Sequence, residues 1–467
     1  MVNKSLNAIL SKFEVFLIFF IILQPVIDLI TSFSILVLDI NLTLGIITRF
    51  AVMMIILMYI LLVPNCKDKI KILTYLILFG VVLIIGLINN LIIKDPISLF
   101  SELRNLAKIS YVPIVLFGYL LAISRLKERI DIKNKIQKNI YVSMIIVSLV
   151  MILASITNTG IKSYDSIKLG HQGWFFAGNE IGAIMAISFA VVLYYAVQNT
   201  DSWKKTYYWV PVCLLIFSQL VVGTKVGYAS ALIVLVISLI TFLLEKFRYR
   251  DNARITKKYN VNLIINSGIL AVFLLLTPFT PVAHNINIHL SWVGLDQEDI
   301  NHESNDTSTG ESNTTEQRES EKDQAVQNIL LSGREHFLAQ HKEFYAEAPL
   351  SQKLFGMGYE GNYKDEGKTV EMDFYDIFFS LGILGFVLYL TPFVYFALKV
   401  ILSIIRGYKK KLNSEFVLFG SAIMLGLGIA YTAGHVLTAP AVSIYLVVSI
   451  AYVYVSVVNI NSSAFEQ

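Results

Sequence analysis

Residues 261–278, VNLIINSGILAVFLLLTP, and residues 374–400, FYDIFFSLGILGFVLYLTPFVYFALKV, bracket the one long polar interval of the chain. Each run is apolar on all sides and close to the roughly 20 residues that a helix needs to cross the hydrocarbon of a bilayer. Between them, from Phe279 to Glu371, the sequence is polar and partly acidic.

Outward from this break the apolar pattern recurs along the whole chain. The segments are Phe13–Phe33, Leu42–Val63, Ile70–Ile93, Leu103–Ile123, Ile140–Ile156, Glu180–Val197, Tyr208–Val222, Gly227–Glu245, Val261–Pro278, Phe374–Val400, Glu415–Ala433 and Ala439–Val458. Composition agrees: 55% of residues are hydrophobic and only 15% are charged, where a soluble domain carries roughly 25%. The mean hydropathy is +0.63. The expectation is an all-α polytopic membrane protein of about twelve transmembrane helices. Residues 1–278 hold helices one to nine, 279–373 form a large extracytoplasmic loop, and 374–467 hold helices ten to twelve. The first apolar run is too long for the core of a cleavable signal peptide.

Alternate connections carry the positive charge, as in Arg125–Lys138, Lys246–Lys258 and Arg406–Lys411. By the positive-inside rule those connections and both termini are cytoplasmic. The protein is then expected in a cytoplasmic membrane with the long insert outside. Within the insert, residues 296–324 are rich in Asp, Glu, Ser, Thr and Asn and are expected to be disordered. Residues 325–347 space Val326, Ile329, Leu330, Phe337, Phe344 and Tyr345 as amphipathic helix lying on the outer membrane surface.

Ionisable groups in or beside spans are costly and need a reason. On the outer half these are Asp28, Arg49, Arg104, Lys108, Glu180, Lys225, Asp373, Asp376 and His435. Several cations with a few carboxylates suit a lipid pyrophosphate: cations offset phosphate charge, and a carboxylate takes a proton from an incoming hydroxyl. Each residue has a plainer alternative. Arg49 can pair with Asp28, Arg104 and Lys108 can reach headgroups from one helix face, and Lys225 can anchor to headgroups. His435 can be a helix-end polar residue, and Asn179 can cap the sixth helix. Tyr359 and Trp174 can be interfacial aromatics. Cys66 and Cys213 suggest neither a disulfide nor a metal site, and no metal-ligand spacing or nucleotide-binding fingerprint appears.

Three segments go further. They are Gly173–Gly182 with Asn179, Gly223-Thr224-Lys225-Val226-Gly227, and the series Ser332-Gly333-Arg334, Gly356-Met357-Gly358-Tyr359, Glu371–Asp376 and Gly382. In order and placement the chain resembles the O-antigen ligase and polysaccharide polymerase superfamily of bacterial membrane glycosyltransferases. The resemblance implies transfer of a polyprenyl-pyrophosphate-linked glycan to an acceptor glycan hydroxyl, without cofactor or metal. It implies membrane lipids, a flippase and a chain-length regulator as partners, and no nucleic acid. Arg334 matches the family's loop arginine, and Lys225 stands where an arginine is commoner, keeping charge but losing the bidentate fork. The ligases carry a His-Asn pair ahead of the glycine that Gly382 matches; here Glu371 and Met372 occupy that place. Glu371, with Asp373 second, is therefore the candidate to activate the acceptor. Arg334, Lys225 and Arg104, with Lys108 and Arg49, are the candidates to hold pyrophosphate. The departure from the His-Asn pair favours a polymerase over a ligase. A transporter or flippase is the rival class, and the lack of two matching halves argues against it.

Overall fold

The computed structural model describes residues 2–40, 43–64, 67–127, 129–164, 167–292, 333–363 and 367–458. Among the described residues, twelve helices are long and apolar enough to cross a membrane. In chain order they are α1 (Val2–Leu36), α2 (Leu44–Leu62), α3 (Lys67–Ile93), α4 (Leu99–Leu126), α5 (Ile132–Ile156), α6 (Gly178–Asn199), α7 (Val210–Val222, which spans together with the 3-10 helix Trp203–Trp209 before it), α8 (Lys225–Arg248) and α9 (Ala253–Leu276). Three short helices, α10 (Pro281–Trp292), α11 (Arg334–Glu347) and α12 (Leu350–Phe355), precede α13 (Asp373–Arg406). A turn of helix, α14 (Tyr408–Lys411), leads to α15 (Ser414–Thr432) and α16 (Pro440–Val458).

Several helices outrun the apolar segments read from sequence. α5 begins at Ile132 and α9 at Ala253, each about two turns early. Hydropathy marks the membrane, whereas the helix continues through polar residues until a cap stops it. The caps are visible: Asp131 accepts from Asn134 N at 3.3 Å, and Asn252 from Ile255 N at 3.2 Å. Asn413 does the same for α15, at 2.9 Å from Phe416 N.

The bundle has a centre and a rim. In their most apolar windows α6 is 94% buried and α16 89%, against 17% for α3 and 22% for α9. α6 is thus sheathed by protein, while α3 and α9 leave most of their apolar surface for lipid. Large side chains fill the middle, and Phe419 stacks on Tyr452 with centroids 4.1 Å apart. Buried tyrosine hydroxyls are bonded within the core: Tyr445 to Ser143 at 2.6 Å, Tyr452 to Glu415 at 2.5 Å and to Gln137 at 2.6 Å.

The insert is partly ordered. α10 was not expected; its Asn285 donates to the carbonyls of Leu169 and Gly223 at 2.7 and 3.0 Å, tying two turns together. The expected disordered stretch 296–324 and residues 325–332 lie outside the described residues. α11 does not simply rest its apolar side on lipid. Leu338, with Phe344 and Tyr345, joins a cluster of Met357, Val370, Met372 and Phe379 that docks the insert onto α13.

Gly382 explains the long-range glycine motif. α13 breaks there, with φ 64° and ψ −172°. The break frees the carbonyls of Phe379 and Ser380, which accept from Met357 N and Gly358 N at 2.8 and 3.3 Å. The contact is backbone on backbone: a Cβ on Gly356 would lie 2.0 Å from Ser380 O, and one on Gly382 2.5 Å from Gly356 N.

Candidate functional site

The starts of α2, α4, α6, α8, α13 and α16 lie at the same end of the bundle as the insert. A cavity of about 440 Å³ opens there between α1, α2, α4, α6 and α16. Its charged lining is Asp28, Arg49, Arg104, Lys108 and Glu180. Three cations against two carboxylates leave it electropositive.

Local sequence accounts for each wall. Arg104 and Lys108 are one helical turn apart on α4 and present both charges to one side. Arg49 pairs with Asp28 at 2.5 Å and donates from Nε to Gln24 at 3.1 Å. The structural alternative for Arg49 therefore holds, and the same residue still faces the cavity. Phe175, Phe176 and Ala177 supply the next wall, shaped because Gln172 donates to Phe176 O at 2.6 Å. α6 starts after Ala177 with no side-chain cap, so its first N–H groups face the cavity unsatisfied by a side chain. Thr438–Ala441, leading into α16, close the floor. Two helix N-termini thus add partial positive charge to the cations.

Asn179 is not the cap of α6; it lies within the first turn and is exposed. The cap position falls to Ala177 because the chain reaches helical geometry earlier than the polar residue suggested. Glu180 lines the cavity and feels the charges of Asp28, Arg49 and Lys108.

Beside the cavity two turns in the left-handed region abut. Glu371 has φ 61° and His435 φ 59°, a conformation that non-glycine residues rarely hold. A Cβ on Gly434 would lie 2.5 Å from Glu371 O, so the turns touch through backbone. Asp373 locks them. Its carboxylate accepts from the N–H groups of His435, Val436 and Leu437 at 3.1, 2.7 and 2.7 Å and from the Thr438 hydroxyl at 2.6 Å. Asp376 likewise accepts from Val370 N and Met372 N at 2.8 and 3.1 Å. These two acids are committed to building the turns. Glu371, by contrast, projects its carboxylate towards Arg334, 3.5 Å away.

His435 joins the two parts of the site: it feels Asp373, Glu371 and Arg334, and also Lys108 of the cavity. Burial holds its imidazole below the ordinary value of 6.5, the neighbouring carboxylates pulling the other way. His341 is buried against Phe344, Tyr363 and Phe379 and bonds Phe337 O, a packing role.

Lys225 is not brought to this cavity. It starts α8 beside Lys168, near the turn of Gly223 held by Asn285. The spacing of its Gly-rich turn gave no hint of which corner it occupies. Tyr359 sits on the far side of α4 from Lys108, its backbone N–H donating to Glu102 at 2.9 Å. Sequence reading missed Thr31, a single polar residue in otherwise apolar context; only the fold shows that it lines the cavity. Among the described residues no group of three or more His, Cys, Asp or Glu is placed to hold a metal ion.

A search of curated proteins finds no match to the chain. The family model for "O-antigen ligase like membrane protein" matches residues 10–460, and the chain, with its twelve candidate spans, belongs to that family.

Proposed function

We propose that the protein polymerises a cell-surface polysaccharide at the outer face of the cytoplasmic membrane. It transfers a polyprenyl-pyrophosphate-linked glycan to a hydroxyl of an acceptor glycan. The observation that carries the reading is the electropositive cavity of Arg49, Arg104 and Lys108 facing two helix starts. Family membership supports glycan transfer in a membrane; polymerisation is inferred from Glu371 and Met372 standing in place of the ligases' His-Asn pair.

In this reading the acceptor oxygen attacks the anomeric carbon from the face opposite the pyrophosphate. The carbon–oxygen bond to phosphate breaks, configuration inverts, and polyprenyl pyrophosphate departs. Arg104 and Lys108 meet the growing phosphate charge in a site already organised for it. Glu371 takes the proton of the acceptor hydroxyl, with Arg334 holding its carboxylate in position. Asp373 positions both turns and is not the base, because its oxygens already accept four hydrogen bonds. Lys225 stands with Lys168 away from this cavity and takes no part in holding the pyrophosphate.

The test pairs Arg104→Gln with Glu371→Gln in cells making normal amounts of protein. Lipid-linked single repeat units should accumulate and long polymer disappear. Unaltered polymer from both variants contradicts the assignment. The family name favours one second reading, transfer of finished glycan to a different acceptor. That enzyme would lose attachment while long lipid-linked polymer persists.

A further inference from the structure

A second cleft, of about 240 Å³, lies on the other side of the first turns of α4. Lys94, Ser101, Glu102, Tyr359, Glu360 and Tyr363 line it. Its charge is opposite to that of the cavity. Among the described lining residues one cation stands against two carboxylates, and that cation is already spent: Lys94 pairs with Glu102 at 2.9 Å, both largely buried. Glu102 also takes Tyr359 N–H, so the floor is satisfied internally. Among the described lining residues this leaves Glu360, two phenol rings and the Ser98 and Ser101 hydroxyls. Such a surface repels phosphate. A carboxylate and hydroxyls beside flat apolar rings suit the hydroxyl groups and C–H faces of a sugar.

The cleft is built rather than incidental. Glu360 is held at φ 60°, a left-handed conformation. A Cβ on Gly367 would lie 2.4 Å from Glu360 Oε2, so glycine there leaves room for the carboxylate. Tyr363 is fixed edge-on against Phe344 at 4.8 Å between centroids and donates to Gln340 at 2.8 Å. Tyr359 hydrogen-bonds Glu360, and burial with this neighbour pushes its phenol up to about 12. It stays a neutral hydroxyl throughout the physiological range. Tyr359 also feels Arg104 and Asp376. The cleft is therefore next to the cavity, with Ser101 and Glu102 of α4 facing one and Arg104 and Lys108 the other.

We infer that the Tyr359–Glu360–Tyr363 cleft is a subsite for a neutral or amino-bearing sugar unit of the acceptor glycan. This rests on the proposed transfer, which needs two substrates side by side, one anionic and one carbohydrate. The structure supplies two compartments of matching charge, divided by the start of one helix.

The experiment uses the full chain purified in detergent. The probe is repeat-unit oligosaccharide cut from the surface polymer of the producing cells. Binding is read by saturation-transfer NMR and by titration, with inorganic pyrophosphate as the probe for the cavity. Glu360→Gln and Tyr359→Phe keep the backbone groups that anchor the loop. Each is expected to weaken oligosaccharide binding about tenfold, the loss of one well-placed hydrogen bond. Pyrophosphate binding stays unchanged. Ser101→Trp, which fills the cleft from α4, should abolish oligosaccharide binding and covers the case where a loop variant unfolds. Unchanged oligosaccharide affinity in folded variants, or no binding by the wild-type chain, overturns the subsite. Binding weakened as described in a protein that transfers no glycan overturns the proposed function and leaves the subsite standing.

Discussion

Asp373 and Glu371, two residues apart, show how neighbouring carboxylates acquire different work. Asp373 is 1% exposed and holds three backbone N–H groups and a hydroxyl. Asp373→Ala would strand those donors, each costing about 1–3 kcal/mol when buried and unsatisfied. The purified variant should melt well below the parent, with activity lost through disorder of the 434–438 turn. Glu371→Gln should keep the parental melting temperature and lose turnover instead. Arg49→Ala removes one partner of a pair whose side chains are 8% and 17% exposed. Leaving Asp28 charged should cost about 3–5 kcal/mol, recovered in part by the double change with Asp28→Asn. His435 gives a pH dependence. Its folded pKa lies below the unfolded 6.5, so the unfolded chain binds the extra proton and stability rises with pH through that window. Stability present above pH 6.5 should fall away on acidification, and His435→Gln should flatten that part of a melting-temperature profile.

At the scale of elements the break in α13 is the feature that sequence half showed. The Gly-x-Gly and the distant Gly382 were visible as motifs. Their meeting was not legible, because it depends on a helix interrupted by contact with a segment 26 residues earlier, Gly356 against Gly382. Gly356→Ala and Gly382→Ala each add a Cβ at or below 2.5 Å from backbone and at positive φ. Overpacking and the left-handed conformation together should cost about 2–4 kcal/mol. Limited proteolysis should then cut the insert faster in the variants than in the parent. The twelve helices themselves were legible, since apolar length alone defines them. Their polar extensions were not, because hydropathy stops at the membrane while caps such as Asp131 and Asn252 lie beyond it. α10 was hidden for the same reason: its anchor, Asn285, reads as an ordinary loop residue until the turns at Leu169 and Gly223 are brought to it.

For the whole molecule the site divides in the same way. Arg49, Arg104, Lys108 and Glu180 converge on one cavity, and Arg334 meets Glu371 beside it. The first four were readable because charges near spans are few and each is expensive; Arg334 and Glu371 were readable only through the family resemblance. Lys225 was grouped with them on motif position, yet it stands with Lys168 at another corner. A motif fixes order along the chain and not the radial position of a helix in the bundle. The proposed orientation has its own check. Cysteine placed at Glu360 should react with a membrane-impermeant maleimide in intact cells, and cysteine at Lys257 only after permeabilisation. The reverse pattern would put the insert inside.

The most direct measurement is turnover by the purified chain in lipid nanodiscs, with lipid-linked repeat units as the sole glycan and polymer length as the readout. Parent protein should build long chains and release polyprenyl pyrophosphate. The Arg104→Gln, Lys108→Gln double variant, folded to the same melting temperature, should lose at least a hundredfold in rate, about 2.7 kcal/mol of transition-state stabilisation. Polymer made by that variant at the parental rate would contradict the claim that this cavity holds the departing pyrophosphate.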